Sequence, residues 1–512
     1  MKEKASVGIM FTACLIVTMF AAISTKAAFV GEVKIGLIGP QGLPHWDHMV
    51  IGAEMAIDEI NAAGGVHLSD GDYEIVLATG DSSGAFPPFD TALAYSEMIR
   101  LITVEGCEYI IGGFRTEVTG VLIETAMDYG VPFFICGSAP YEWLTTTVAV
   151  DYPRYKYLFR VTPTNTTTLI PTIAGGIQYL LATKLLPLYG QDLGGPVPQV
   201  RVAVLVEALD WTQAFLYYFA DPAVYPAVLG PYANVTYVGQ IPDGTLDCSS
   251  WLQGVIDSEA RLLIHIFSGV TGVPLIQQWN AMNVKALPVG INVMAQLQIH
   301  WSNTAGGCEY ESLLNSIATR TPLVPGITEE FWDEFVTRSG GAWPVYTGFG
   351  AYSSVNLFAE GLEGVGSKDN DALVAFFEDP TWETLGPLGK FKFDSIHDVY
   401  CSETGPFWTE GYTRPFIVQW QAARMEVVSP FDQIYTKRWA IPPWMYELIT
   451  DLNFDGKVNI VDLFTIAQAF GTEPGDSRWE KEADITGDNK INIMDVFLVA
   501  RDFGTEISLP LP

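Results

Sequence analysis

Basic residues are scarce in this 512-residue chain: 27 Lys and Arg stand against 59 Asp and Glu, giving a net charge of −32. That shortage excludes a general nucleic-acid binder, which needs a basic stripe. It also excludes electrostatic docking on anionic lipid. Histidine is as thin, at six residues, and leaves little for acid–base chemistry. No nucleophile elbow, HExxH, phosphate loop or His-based triad signature occurs, so the sequence argues against an enzyme. Cysteine also numbers six, with no CxxC or Cys/His cluster of the kind zinc requires. Cys14 lies in an N-terminal apolar run without a lipobox setting. The other five are Cys107, Cys136, Cys248, Cys308 and Cys401, an odd number that leaves at least one unpaired in an exported chain. What is plentiful is apolar material: 49% hydrophobic and 12% aromatic residues argue against disorder. The length predicts two to four domains.

Met1–Lys4 carries positive charge, Val7 to Ser24 is almost wholly apolar, and small residues follow at Ala27 and Ala28. Residues 1–27 read as an export signal cleaved near Ala27, with an uncleaved membrane anchor as the alternative. Either places the remainder outside the cytoplasm, at the cell surface or in an extracellular or periplasmic space. Beyond it, continuous apolar strands alternate with helices, the signature of parallel sheets covered on both faces. Strands are expected at 32–39, 73–78, 109–112, 131–136, 200–206, 235–240, 262–267 and 286–291. Helices are expected over 48–62, 90–104, 117–129 and 211–220. The pattern restarts near 200, which implies two α/β lobes joined near 157–162. The Pro- and Trp-rich residues 426–448 read as a packed extension or linker. Asn165-Thr166-Thr167 and Asn234-Val235-Thr236 are glycosylation sequons, and the first argues for an exposed loop.

The tail repeats itself at an offset of 33 residues. Asp451-Leu452-Asn453-Phe454-Asp455-Gly456-Lys457-Val458-Asn459-Ile460-Val461-Asp462 matches Asp484-Ile485-Thr486-Gly487-Asp488-Asn489-Lys490-Ile491-Asn492-Ile493-Met494-Asp495, and each precedes an apolar helix ending in Phe-Gly. Alternate oxygen donors in a twelve-residue loop suit a hard cation. The first loop offers Asp451, Asn453, Asp455, Asn459, Asp462 and the Lys457 carbonyl; the second offers Asp484, Thr486, Asp488, Asn492, Asp495 and the Lys490 carbonyl. Two calcium ions are expected, the second held more weakly because Thr486 replaces a stronger ligand. Asn489 stands where the turn asks for Gly, and Asn tolerates the left-handed conformation. These repeats resemble a type I dockerin, whose loops end in Asp and are each followed by one helix. The resemblance implies a cohesin-bearing partner, contacted through the positions matched by the apolar pairs Ile460-Val461 and Ile493-Met494. Packing of these pairs within the protein is the alternative.

The larger part carries Ile38-Gly39-Pro40, Gly52-Ala53, and Ala56-Ile57-Asp58-Glu59-Ile60-Asn61-Ala62-Ala63-Gly64-Gly65-Val66. Tyr109-Ile110-Ile111-Gly112, Val131-Pro132-Phe133-Phe134, Gly290-Ile291-Asn292-Val293 and Val418-Gln419-Trp420 follow in order. Over residues 32–425 it resembles the type I periplasmic solute-binding proteins, especially the branched-chain amino-acid group of ABC importers. The implied fold class is α/β and two-lobed, with parallel sheets flanked by helices, plus a small all-α dockerin-like domain. The lobes are expected at 30–159 with 306–390 and at 160–305 with 391–425, and the tail domain at 449–506. By resemblance, Thr116 and residues near Ser138 and Ala139 hold a ligand carboxylate, while Trp46, Trp211 and Tyr346 cover the ligand. A ligand-ammonium Glu aligns with Asn292, so either Glu117 replaces it or the ligand is not an ordinary α-amino acid. Arg115 is a ligand group or a surface ion-pair partner, and His45 and His48 read as solvated. Cys308 and Cys401 fall near lobe crossovers and could pair there; Cys107 and Cys136 lie too far apart. The implied function is an extracellular substrate-binding receptor for a small amino-acid-like or related polar ligand, delivering it to an ABC permease. A non-transport sensor or scaffold component assembled through the tail is the alternative.

Overall fold

The computed structural model describes residues 29–139, 143–315, 324–401, 411–413, 415–429, 437–445, 450–453, 457–486 and 488–505. The first sheet comprises β1 (Gly31–Gly39), β2 (Val66–Leu68), β3 (Gly71–Asp81), β4 (Tyr109–Gly112), β5 (Phe133–Ile135) and β6 (Leu158–Arg160), in the order β2-β3-β1-β4-β5-β6. All its pairs are parallel except the β2–β3 hairpin. Val33, Ile35, Leu37 and Ile38 on β1, like the whole of β4 and β5, are buried, as strands covered on both faces must be.

The second sheet comprises β7 (Val200–Glu207), β8 (Ala233–Ile241), β9 (Leu262–Phe267), β10 (Leu287–Asn292) and β11 (Ser312–Asn315). A small hairpin, β12 (Thr384–Gly386) with β13 (Gly389–Phe391), lies apart from both sheets. The antiparallel pair β14 (Phe416–Gln421) and β15 (Arg424–Ser429) closes one edge of the second sheet, in the order β15-β14-β11-β10-β9-β7-β8.

Local chemistry sets the helix ends. The helix Pro44–Ala63 carries Pro in its first turn and ends at Gly64, which adopts φ 119°, a conformation that favours glycine. Asp90 caps the helix Thr91–Thr103 by accepting from the Ala92 and Leu93 N–H groups. Gly52 lets Pro44–Ala63 lie against the helix Tyr346–Val365: a Cβ there would stand 2.0 Å from the Gly348 carbonyl oxygen.

Several sequence expectations need correction. β11 pairs with β10, so the second lobe extends beyond residue 305. Asp394–Val399 runs against β6, with Arg160 N–H donating to the His397 carbonyl at 3.0 Å and Val399 N–H to that of Arg160 at 3.0 Å. The first lobe therefore reaches past residue 390. Residues 426–429 complete β15, and Trp439, Ile441 and Met445 are buried in the main core. The described part of 426–448 is thus a packed extension and not a linker. Cys308 is a buried thiol and forms no disulfide with Cys401. Cys107 and Cys136 are likewise unbridged. The tail keeps its own small core of Leu452, Val458, Ile466, Ala469, Ala483, Ile491 and Val499, between the helices Ile460–Ala469 and Ile493–Asp502.

The lobes meet at a buried ion pair. Arg160, at the end of β6, donates from Nε to Asp398 Oδ1 at 3.0 Å and from Nη2 to Oδ2 at 2.6 Å. Asn165 Nδ2 donates to the same carboxylate, while Asn165 Oδ1 accepts from Thr167 N–H at the start of the helix Thr166–Leu180. Asn165 is therefore buried, and the exposed loop expected from its sequon is not formed. One carboxylate holds the end of the first lobe, the start of the second and a returning strand segment. Removing one partner of a buried ion pair strands the other in a poor solvent. Asp398→Ala is expected to cost about 3–5 kcal/mol by urea unfolding at pH 7. Asp58→Ala, which breaks the half-exposed Arg338–Asp58 pair, is expected to cost less than about 1 kcal/mol.

Candidate functional site

Strands of both sheets direct their carboxyl ends at one narrow inter-lobe cavity of about 50 Å³. Its walls are Phe114, Arg115, Thr116, Gly137, Ala139 and Tyr346 from the first lobe. Thr164 lies at the crossing. Leu169, Trp211, Ser268, Ile291, Val293, Gln296, Leu314 and Asn315 come from the second. Of the residues singled out from sequence, Arg115, Thr116, Ala139, Trp211 and Tyr346 stand on these walls.

The other four do not line the cavity. Trp46 is half-buried, packed over Gly39. Ser138 is buried, its hydroxyl 2.8 Å from both the Phe114 carbonyl and Thr119 Oγ1, which share its single proton. Thr119 Oγ1 in turn accepts from Phe114 N–H at 3.1 Å and donates to the Arg115 carbonyl at 2.7 Å. Ser138 thus fixes the turn that presents Arg115 and Thr116. Glu117 faces the second lobe, where its Oε1 accepts from Asp210 N–H at 3.4 Å. Asn292 is turned away from the cavity and donates to Glu311 Oε1 at 2.8 Å and to the Gly272 carbonyl at 3.2 Å.

Arg115 is 3% exposed and bridges the lobes, so the surface ion-pair reading is wrong. Its Nε donates to the Gly84 carbonyl at 3.2 Å in its own lobe, and its Nη1 to Ser268 Oγ at 2.8 Å across the cleft. Its Nη2 stands 3.6 Å from Asp243 Oδ2. The indole of Trp211 donates to the same Ser268 oxygen at 3.0 Å. Behind Ser268, Glu207 Oε2 accepts from the Ser268 and Gly269 N–H groups, both at 2.8 Å. Burial, then the neighbouring Asp243 charge, pushes the Glu207 carboxyl up to about 7. Ser268, Gln296 and the Glu207–Asp243 pair went unnoticed in the sequence. The only signal for Glu207 was a carboxylate ending an otherwise apolar strand.

His45 and His48 are buried, not solvated. His45 packs between Phe114 and Tyr346, with ring centroids 5.2 and 6.2 Å away. Burial, then the charges of His48 and Arg115, holds its pKa down to about 3, so it is a neutral part of the packing at working pH.

In the tail the two repeats superpose chemically. Asp462 Oδ1 accepts from the Leu452 and Asn453 N–H groups at 2.7 and 3.1 Å, and its Oδ2 from that of Asn459 at 2.8 Å. Asp495 Oδ1 accepts from the Thr486 N–H and hydroxyl at 2.9 and 3.0 Å, and its Oδ2 from Asn492 N–H at 2.8 Å. Asn489 takes φ 61°, the left-handed turn expected of it. Asp484 and Asp488 accept backbone N–H groups of their own loop. Among the described residues no three His, Cys, Asp or Glu side chains converge into a cage; Asp455 lies outside those residues. Even so, the donor set fits calcium: Asp451, Asn453, Lys457 and Asn459 join Asp462 in one loop, and Lys490 and Asn492 join three aspartates in the other. All supply the oxygen ligands a hard cation prefers.

Residues 32–193 match the periplasmic binding protein family and residues 449–504 match the dockerin type I domain. Leu/Ile/Val-binding protein homolog 8 of Brucella abortus is 22% identical over 370 residues, covering 70% of this chain and 82% of that protein. Homolog 7 of the same species is 24% identical over 410 residues, covering 78% and 94%. Among solved structures, a branched-chain amino acid transporter substrate binding protein from Streptococcus pneumoniae, in complex with isoleucine, superposes with a TM-score of 0.61. It is 18% identical, over 78% of this chain and all of that one. A solute-binding protein from R. palustris in complex with benzoate gives 0.58 at 14% identity, over 78% and 96%. The fold of the large domain is therefore that of the periplasmic binding proteins.

One buried network beneath the cleft has a pH signature. Glu311 is fully buried and meets His265 Nε2 at 3.2 Å and His300 Nε2 at 2.8 Å. Burial alone would raise its pKa, but the His300 charge and the hydrogen bonds from both imidazoles bring it down to about 2. A carboxyl depressed on folding stabilises above its unfolded pKa and loses that contribution as pH falls through the folded one. Glu311→Gln is expected to be less stable than wild type at pH 6 by on the order of 2–3 kcal/mol. The two urea curves should converge between pH 4.5 and about 2; a gap independent of pH would contradict this assignment.

Proposed function

For a chain that joins a periplasmic-binding-protein domain to a type I dockerin module, we propose an exported, non-enzymatic receptor. It closes two lobes on a small amino-acid-like or related polar ligand and delivers it to the membrane permease of an ABC importer. The observation that carries this reading is the inter-lobe cavity, with aromatic and aliphatic walls and a few convergent polar groups from both sheets. Affinity in such a site comes from buried apolar contact, and orientation from hydrogen bonds. The hinge at Arg160 and Asp398 permits closure by rigid-body rotation. The relatives named for leucine, isoleucine and valine, and the similar structures holding isoleucine and benzoate, support a small organic acid as cargo.

The tail adds calcium-dependent docking to a cohesin-bearing partner, with one ion in each loop. Calcium would order the loops and supply folding free energy to this small core. Each repeat leaves an apolar stripe in water: Ile460, Val461 and Phe464 are 68, 46 and 61% exposed, and Ile493, Met494 and Phe497 are 66, 55 and 60% exposed. Apolar side chains in contiguous exposed patches mark contact surfaces. These stripes favour, as a second reading, a surface-scaffold or sensor component in which assembly matters more than transport.

Capture of the full chain by immobilised type I cohesins, with and without chelator, tests the docking half. Calcium-dependent capture is expected, weakened at least 100-fold when Ile460→Asp and Ile493→Asp are combined. Ligand binding by the large domain should be unchanged in that variant. Capture that persists in chelator, or that ignores both substitutions, would contradict the proposal.

A further inference from the structure

The charge inventory of the cleft narrows the class of ligand. Resting on the reading of this cavity as the ligand site, we propose that it takes small carboxylates with an apolar body and no ammonium group, and that Arg115 selects them.

Among the described residues, Arg115 is the one charged side chain on the cavity walls. No carboxylate stands on the described walls: Glu207 and Asp243 lie behind Ser268 and Arg115. Glu311 is fully buried among His265, His300 and Asn292 in the second lobe. Glu117 accepts the Asp210 N–H on Oε1, while its Oε2 is buried without a partner and does not line the cavity. Asn292 offers no charge and is turned toward Glu311. Gln296, 4% exposed, donates to the Leu314 carbonyl, and its Oε1 is buried without a hydrogen-bond partner. That neutral oxygen satisfies a ligand hydroxyl but leaves a full positive charge uncompensated, and an uncompensated buried charge is expensive. An ammonium here would also share a confined space with the guanidinium.

A carboxylate meets the opposite situation. The Arg115 Nη2 separation of 3.6 Å from Asp243 is an ion pair too long for a hydrogen bond, so that nitrogen can turn an N–H to a ligand oxygen. Thr116 stands beside it on the wall at the start of the helix Thr116–Asp128, where the helix dipole favours an anion. The remaining walls suit a branched aliphatic or aryl body: Phe114, Leu169, Trp211 and Ile291.

The carboxylates behind Arg115 give the idea a second readout. Glu207 faces Asp243 after β8, Arg115 from the first lobe, and the N–H groups of Ser268 and Gly269 after β9. Around Arg115 stand Asp243, neutral His45 and Tyr346. An anionic ligand drawing on Arg115 adds negative charge to this cluster and makes Glu207 harder to ionise. Binding should then take up a proton near neutral pH, and affinity should fall severalfold from pH 6 to pH 8. An ammonium ligand would release a proton instead.

Calorimetry on the full chain, with matched pairs differing only in the ammonium group, tests the inference. 4-Methylpentanoate is expected to bind at least tenfold more tightly than L-leucine, and 3-phenylpropanoate at least tenfold more tightly than L-phenylalanine. Titrations in phosphate and Tris should show proton uptake, and Arg115→Gln should weaken the carboxylates at least tenfold. The wild-type pairs decide the question even if that buried variant does not fold. Tighter binding of either amino acid, or proton release with the carboxylates, would overturn the ligand class while leaving the receptor reading intact. Silence from all four compounds would overturn the ligand class. Only continued silence across a wider set of small polar solutes would overturn the receptor reading as well.

Discussion

Asp398 is the point on which the arrangement of the two lobes depends. A carboxylate buried this far from water is tolerable only when its oxygens are met by good donors, and Arg160 and Asn165 supply them from opposite sides of a chain crossing. Arg160 ends the last strand of the first sheet, and Asn165 opens the first helix of the second lobe. Stacking of His397 on Phe159, with centroids 4.1 Å apart and rings nearly parallel, pins the returning segment beside them. The lobes are therefore joined at a buried, hydrogen-bonded crossing, and the cavity lies where strand ends of both sheets converge.

The cavity itself is closed by a second set of inter-lobe bonds. Arg115 reaches from a turn of the first lobe to Ser268 and Asp243 of the second, while Trp211 shares the Ser268 oxygen. These contacts lie beside the apolar walls, so under the proposed function lobe closure and the electrostatics of the cavity are one event. The tail touches the large domain through Lys481, whose Nζ donates to Glu309 Oε2 at 3.1 Å, yet it folds around its own centre. It has its own core, its own repeat and two apolar stripes that the rest of the protein leaves in water.

The alternation of apolar strands and helices was legible because it is local, and so was the 33-residue repeat, whose loop chemistry is complete within twelve positions. Lobe membership was less legible. Whether residues 306–315 or 391–401 belong to one sheet or the other is decided by pairing across long stretches of chain, with β10 and with β6, and no periodicity encodes it. The cleft divides the same way. Thr116, Ala139, Trp211 and Tyr346 sit on its walls, whereas Ser138 and Asn292 lie near strand ends where a small change of direction points a side chain inward to Thr119 or Glu311. Arg115 finds Ser268 across 153 residues, and the burial of His45 depends on Phe114 and Tyr346, far from it in sequence.

The central claim is that the lobes close on a ligand about the Arg160–Asp398 pivot. Spin labels at Tyr95→Cys in the first lobe and Tyr217→Cys in the second, both exposed positions, report the distance between lobes by pulsed electron resonance. A saturating small-molecule ligand should replace a broad, longer distribution by a single shorter one. Identical distributions with and without a ligand whose binding is established by calorimetry would contradict the account.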